Sequence, residues 1–219
     1  STNFFFFNAA ATAELYTTRN PLSLPDALPI STSITNSGTV TKNATGNITS
    51  TGAFSTTGDV NLAANITTTD TNLTIGGNLV IAEAATPTLS TGAGTAGNVL
   101  VSGTTNGTTG GVAETLTVQA GTGTATFTGN VGNNANGTEL EALTITNAAA
   151  TTFSGTLDLA NALTQTNAAT GTTTFTGAVA VGSADLKGTA YALNNSFASG
   201  GTTSITNSGT VTKNATGNI

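Results

Sequence analysis

From residue 32 onward, apolar and polar residues alternate in short runs. Leu73 and Ile75, Leu116 and Val118, Leu143 and Ile145, Leu157 and Leu159, and Val179 and Val181 each stand two apart, and Thr, Asn or Gly closes each run. Period two over three to five residues reads as many short strands, each with one buried face. In "ELEALTIT" (139–146) the phase slips between Leu140/Ala142 and Leu143/Ile145. Such a slip suits a corner at which the chain turns and points inward again. "TNLTIGGNLVI" (71–81) offers two strands separated by Gly-Gly, whereas "TTNGTTGG" (104–111) reads as a loop or hairpin tip between coils.

The runs recur. "LTVQAGTGTATFTGNV" (116–131), "LTITNAAATTFSGTL" (143–157) and "LTQTNAATGTTTFTGAV" (163–179) share Leu-Thr, a polar or small connection, then Thr-x-Phe-Ser/Thr-Gly. Leu116, Leu143 and Leu163 are spaced 27 and 20 apart, and Phe127, Phe153 and Phe175 are spaced 26 and 22 apart. "TGAFSTTGDVNL" (51–62), around Phe54, is a looser relative. Repeats of this size with two or three short strands match one coil of a parallel β-solenoid, in which each coil buries its apolar face against the next. The fold expected over 31–202 is therefore all-β, with seven or eight coils rising about 35–40 Å at roughly 4.8 Å per stacked strand. The three phenylalanines are expected to form an internal aromatic stack. Aligned asparagines such as Asn147 and Asn167 are expected to form ladders.

A longer repeat frames these coils. "TSITNSGTVTKNATGNI" stands at 32–48 and again, unchanged, at 203–219, so that Thr32 recurs as Thr203. The second occurrence reads as the start of another copy of the 31–202 unit, or as an assembly closed on itself through a repeated word. Either implies a long, repetitive parent.

The first thirty residues differ in kind. Residues 14–30 hold three of the four prolines and the lone arginine, Arg19. "NAAATAELYT" (8–17) and "LSLPDALPI" (22–30) resemble, in order and with a plausible spacer, the conceptual translation of a sequencing-library adapter, and Phe4 to Phe7 then read as a translated thymidine run. The other reading is an irregular proline-rich linker. Under either, the segment carries no function, and a signal peptide is disfavoured by the short apolar run without a basic flank.

Composition narrows the remaining chain. Threonine is roughly a quarter of all residues, and β-branched side chains favour pleated, half-buried surfaces. Only 6% of residues are charged and the net charge is -6. With three lysines and no arginine after residue 30, the chain cannot neutralise a run of phosphates, so no nucleic-acid partner is expected. No apolar run is long enough for a transmembrane helix. There is no Cys or His, which excludes thiolate, Ser-His-Asp and conventional zinc chemistry. There is no Met either, so the sequence is read as a fragment.

The "TxTFTGxVxV" and "LTITN" runs, the Gly/Asn/Thr corners and the low charge resemble the β-strand-repeat passengers of bacterial autotransporters and filamentous-haemagglutinin-like adhesins over about 32–219. The resemblance implies a right-handed parallel β-helix, secreted or anchored at the outer surface. It implies a non-catalytic adhesin or stalk whose partners are surface glycans, other cell-surface proteins and the next repeat units of the same chain. The family's secretion region and membrane barrel are not found in this sequence.

No catalytic, metal or cofactor-binding residue is assigned. The residual candidates are Glu139 and Glu141, which at i and i+2 share one strand face and suit a polysaccharide-active pair or a calcium site. An ice-binding solenoid is a further rival, weakened because the consecutive runs Thr67 to Thr69 and Thr172 to Thr174 send neighbouring hydroxyls to opposite faces. Asn-x-Ser/Thr sequons at Asn43, Asn47, Asn65, Asn72, Asn106, Asn136 and Asn214 follow from abundant Asn and Thr alone.

Overall fold

The computed structural model describes residues 31–44, 46–94, 97–108, 113–133 and 140–214, the last without the side chains of 167–170. The adapter-like segment, Asn136 and Glu139 lie outside them. The described residues form strands and turns only, and every strand pairing is parallel. An alternating run of three residues is too short to bury anything alone. Stacked on copies of itself, it buries one face and satisfies its backbone on both sides.

Each coil has three faces. Coil 1 is β1 (Thr32–Ile34), β2 (Val40–Lys42) and β3 (Ile48–Ser50); coil 2 is β4 (Phe54–Thr56), β5 (Val60–Leu62) and β6 (Ile66–Thr68). Coil 3 is β7 (Leu73–Ile75), β8 (Leu79–Ile81) and β9 (Thr88–Ser90); coil 4 is β10 (Val99–Val101), β11 (Thr105–Asn106) and β12 (Thr115–Gln119). Coil 5 runs through β13 (Thr124–Phe127), Val131 and β14 (Ala142–Asn147), and coil 6 through β15 (Ala150–Phe153) and β16 (Leu157–Asp158) into β17 (Ala162–Phe175). β17 turns the corner itself, closing coil 6 and opening coil 7, which continues through β18 (Val179–Val181) into β19 (Ser183–Leu193). β19 does the same before β20 (Phe197–Ser199), β21 (Thr203–Asn207) and β22 (Val211–Lys213).

One column of register partners climbs the first face through Thr32, Phe54, Leu73, Val99, Ala125, Thr151, Thr173, Tyr191 and Val211. Each step along it is one coil, the shortest from Thr173 to Tyr191 and the longest from Leu73 to Val99 and its two successors. The expected parallel β-solenoid is thus the fold, with coils close to the expected size. Inward rows run unbroken up the axis: Val60, Leu79, Thr105, Val131, Leu157, Val179 and Phe197 on the second face, and Leu116, Leu143 and Leu163 on the third. All of these are buried.

The Phe stack is present. Phe127 and Phe153 lie with ring centroids 5.3 Å apart and planes 6° from parallel, and Phe153 and Phe175 at 5.2 Å and 5°. Phe197, arriving from the second face, closes the stack edge-on at 5.7 Å. Phe54 belongs to a different inward row, the one containing Leu73, so its repeat relates to the others by alternation and not by ring position. The phase slip in 139–146 is a corner: Leu140 bridges Leu159, whereas Leu143 pairs with Leu163 on the third face.

Two expectations change. "TTNGTTGG" is not simply a loop: Thr105 and Asn106 form β11 on Leu79 and Val80, because the second-face row requires a rung there; residues 109–111 lie outside the described chain. The identical word also takes two different places. At 32–48 its strands lie on the first and second faces, against Phe54–Thr56 and Val60–Leu62. At 203–213 they lie on the third and first faces, against 184–188 and 191–193. The strand–corner–strand pattern recurs around the coil, so the word fits at least two different consecutive pairs of faces. From Thr32 to Thr203 the solenoid advances by seven coils and two faces.

Candidate functional site

Corners explain the Asn content. Where the chain bends into a new strand, a backbone N–H points along the axis, and an Asn or Asp side chain one rung away accepts from it. Asn72 Oδ1 accepts from Asn98 N at 3.0 Å, and Asn98 Oδ1 from Thr124 N at 2.8 Å. At the next corner Asp59 Oδ1 accepts from Asn78 N (2.7 Å), Asn78 Oδ1 from Thr104 N (2.9 Å), and Asn130 Oδ1 from Thr156 N (3.0 Å). The ladders are therefore at the strand entries. Of the pair first expected, Asn147 instead donates from Nδ2 to Ala93 O at 2.9 Å, and the Asn167 side chain lies outside the description. The sequons Asn47, Asn65 and Asn72 belong to this corner system, in which Asn65 accepts from Thr88 N at 2.8 Å.

Outward residues form the solvent-facing surfaces. On the third face Thr88, Thr117, Thr144 and Thr164 stand in one column over four successive rungs. Beside it Thr166 Oγ1 donates to Thr146 O at 3.2 Å, and Thr146 Oγ1 to Val118 O at 3.2 Å. On the first face Ser55, Thr74, Leu100, Thr126, Thr152 and Thr174 form a second column. In the consecutive threonine runs the middle residue turns inward, with Thr68 and Thr173 buried and their neighbours outside. Opposite facing within a run, which weakens an ice-binding reading of the sequence, thus leaves hydroxyls two residues apart on the same outer surface.

Of the expected pair Glu139 and Glu141, only Glu141 lies among the described residues. Glu141 is half-buried and its Oε1 accepts from Asn161 Nδ2. Its neighbour one rung below is Glu114, whose backbone O accepts from Glu141 N at 2.9 Å. Glu114 is only 3% exposed and accepts from Thr108 Oγ1 at 2.5 Å. The repeat held the signal for this column, since Glu114, Glu141 and Asn161 each precede a Leu of the Leu116/Leu143/Leu163 row by two residues. Glu114 and Glu141 thus each accept from a neutral side-chain donor. Among the described residues no three His, Cys, Asp or Glu come together as a metal cluster, and no helix is long and apolar enough to cross a membrane.

A polar patch lies in the core around Gln165. Buried Gln165 accepts from Thr173 Oγ1 at 2.9 Å and donates to Lys187 O at 3.0 Å. Nearby, the Tyr191 hydroxyl finds no hydrogen-bond partner, and Tyr191 is 1% exposed. Burial pushes its pKa up from 10.0 to about 12, and the negative Asp185 adds to the shift. An unfolded tyrosine ionises first, so stability is complete below about pH 10 and declines as pH rises towards 12. The urea midpoint of the wild type is expected to fall over that window more steeply than that of Tyr191→Phe. Parallel pH profiles for the two proteins would contradict this.

The open surfaces include a cleft of about 120 Å³ on the second face, lined by Asn106, Asn130, Asn133 and Asp158 among others. It is shallow and polar, unlike the concave, largely apolar pockets that hold small molecules. No protein-family model matches the chain, and neither curated proteins nor solved structures gave a significant match.

Proposed function

We propose that the chain is a non-catalytic repeat segment of a large secreted or cell-surface bacterial protein, acting as an adhesin or a stalk. The observation that carries this reading is the four-rung threonine column on the third face, Thr88, Thr117, Thr144 and Thr164, backed by a hydrophobic core that runs through the coils. Such a fold adds surface with every coil. Neutral hydroxyl rows contact glycans or other surfaces weakly per rung, and repetition turns weak contacts into avidity. The resemblance of the repeats to autotransporter and filamentous-haemagglutinin-like passengers supports the same setting.

The test is adhesion in multivalent form. Particles displaying many copies are expected to stick to glycan-coated surfaces, single molecules to bind far more weakly, and the triple variant T117K/T144K/T164K on particles to lose adhesion at least tenfold. Equal adhesion by that variant, or cleavage of a polysaccharide that Glu114→Gln or Glu141→Gln abolishes, would overturn it. The regular column also favours a second reading, ordering of water at an ice surface, which thermal hysteresis lost in the same triple variant would select.

A further inference from the structure

The threonine column of the third face continues past Thr164, with Asp185 and Ser204 in register on the next two rungs. Threonine thus gives way to a carboxylate. The inward row behind the column changes at the same rung, where Leu116, Leu143 and Leu163 are followed by the buried Ala184. A smaller side chain there fills less of the space beneath the face. Beside it lies a groove of about 280 Å³, lined by Thr164, Ser183, Ala184, Asp185, Thr202 and Ser204. Its polar lining is therefore four hydroxyls and one carboxylate, spread over three rungs.

Asp185 is half-exposed and pairs with the equally exposed Lys187 at 3.2 Å. Lys187 stands two residues further along β19, in register with Thr206. An exposed ion pair of this kind adds little to stability. The fold therefore does not call for a carboxylate in a column that serves four rungs with threonine. A carboxylate offers two oxygens and about four lone-pair sites, so Asp185 in contact with one lysine still accepts from two adjacent hydroxyls of a ligand. Hydrogen bonds to a charged acceptor are the stronger kind. We propose that the groove is a subsite for one ring of a neutral sugar, whose neighbouring hydroxyls donate to Asp185 while Thr164 and Ser204 engage the rest of the ring. This assignment rests on the adhesive reading of the third face and narrows its ligand. Acidic sugars are disfavoured, because a uronic acid would bring a second negative charge to Asp185, and Lys187 is already paired with it.

The experiment compares dextran, a neutral glucose polymer, with alginate, a uronic acid polymer, as coatings for surfaces offered to particles that display the full chain. Wild-type particles are expected to adhere to dextran severalfold better than to alginate at low salt. Asp185→Ala is expected to lose about tenfold on dextran, the scale of one hydrogen bond to a charged group. Lys187→Gln keeps the carboxylate and is expected to adhere as the wild type does. If Asp185→Ala loses its β spectrum, Asp185→Asn, of the same shape but uncharged, is read in its place and is expected to lose adhesion in the same direction. Dextran adhesion that the folded Asp185 variant leaves unchanged, or equal capture by alginate, overturns the subsite while the adhesive reading stands. A loss in Lys187→Gln as large as that in Asp185→Ala assigns the effect to the ion pair and overturns it too. Adhesion to neither polymer also overturns the subsite, whereas the adhesive reading falls only where no glycan-coated surface holds the particles.

Discussion

Phe153→Ala is expected to destabilise the protein by about 3–5 kcal/mol, the range for emptying a phenylalanine site in a packed interior. Phe153 is 2% exposed and lies between two rings at 5.3 and 5.2 Å, so truncation removes both contacts and leaves a void between coils 5 and 7. In a solenoid each coil is stabilised by its neighbours, and a central gap uncouples the two halves. Urea unfolding followed by far-UV circular dichroism is therefore expected to broaden as well as shift. Phe153→Leu, which fills much of the space but loses the stacking, is expected to retain most of the stability, with a loss of about 1–2 kcal/mol. Equal losses for alanine and leucine would contradict this and show that the stacked rings, rather than the filled volume, carry the stability.

Gly129→Ala is expected to be almost as damaging, at about 3 kcal/mol, although it adds one methyl group at a corner. Gly77, Gly103, Gly129, Gly155 and Gly177 occupy the same corner on successive coils. A Cβ on Gly129 would lie 2.4 Å from Gly103 O and 2.5 Å from Gly103 C, both backbone atoms of the coil below. Backbone cannot rotate away as a side chain can, so the rungs must separate or the corner must shift. The comparison is Gly94→Ala: a Cβ there meets nothing within 4 Å, and the change is expected to be close to neutral. Similar urea midpoints for the two variants would contradict close stacking of the corners.

The alternation made the inward rows legible, and the repeat spacing made the coils legible: Leu116, Leu143 and Leu163 pair as their sequence context suggests, as do the three stacked phenylalanines. Face assignment was not legible. Every face requires the same apolar–polar–apolar run, and the word repeated at 32–48 and 203–219 shows that identical residues serve on different faces. Threonine hid other features, because it suits either side of a strand. Thr105, Thr151 and Thr173 are buried in the inward rows, and nothing in their local pattern marks them. Gln165 is likewise buried where Ile145 and Leu186 stand on neighbouring rungs, and its amide is satisfied only by contacts distant in sequence. Asparagine ladders were anticipated in kind, and those described lie at strand entries, where backbone N–H groups need an acceptor. Glu114 was overlooked because its relation to Glu141 depends on stacking across a full coil.

Stacking itself is tested most directly by distances along one outward column. The chain has no cysteine, so Ser55 can be spin-labelled in pairs with Thr174, Ala192 or Thr212, which the register places five, six and seven rungs away. Pulsed electron resonance is expected to give about 24, 29 and 34 Å, increasing by roughly 4.8 Å per rung. Distances that fail to grow in equal steps from Thr174 to Thr212 would contradict a single parallel stack.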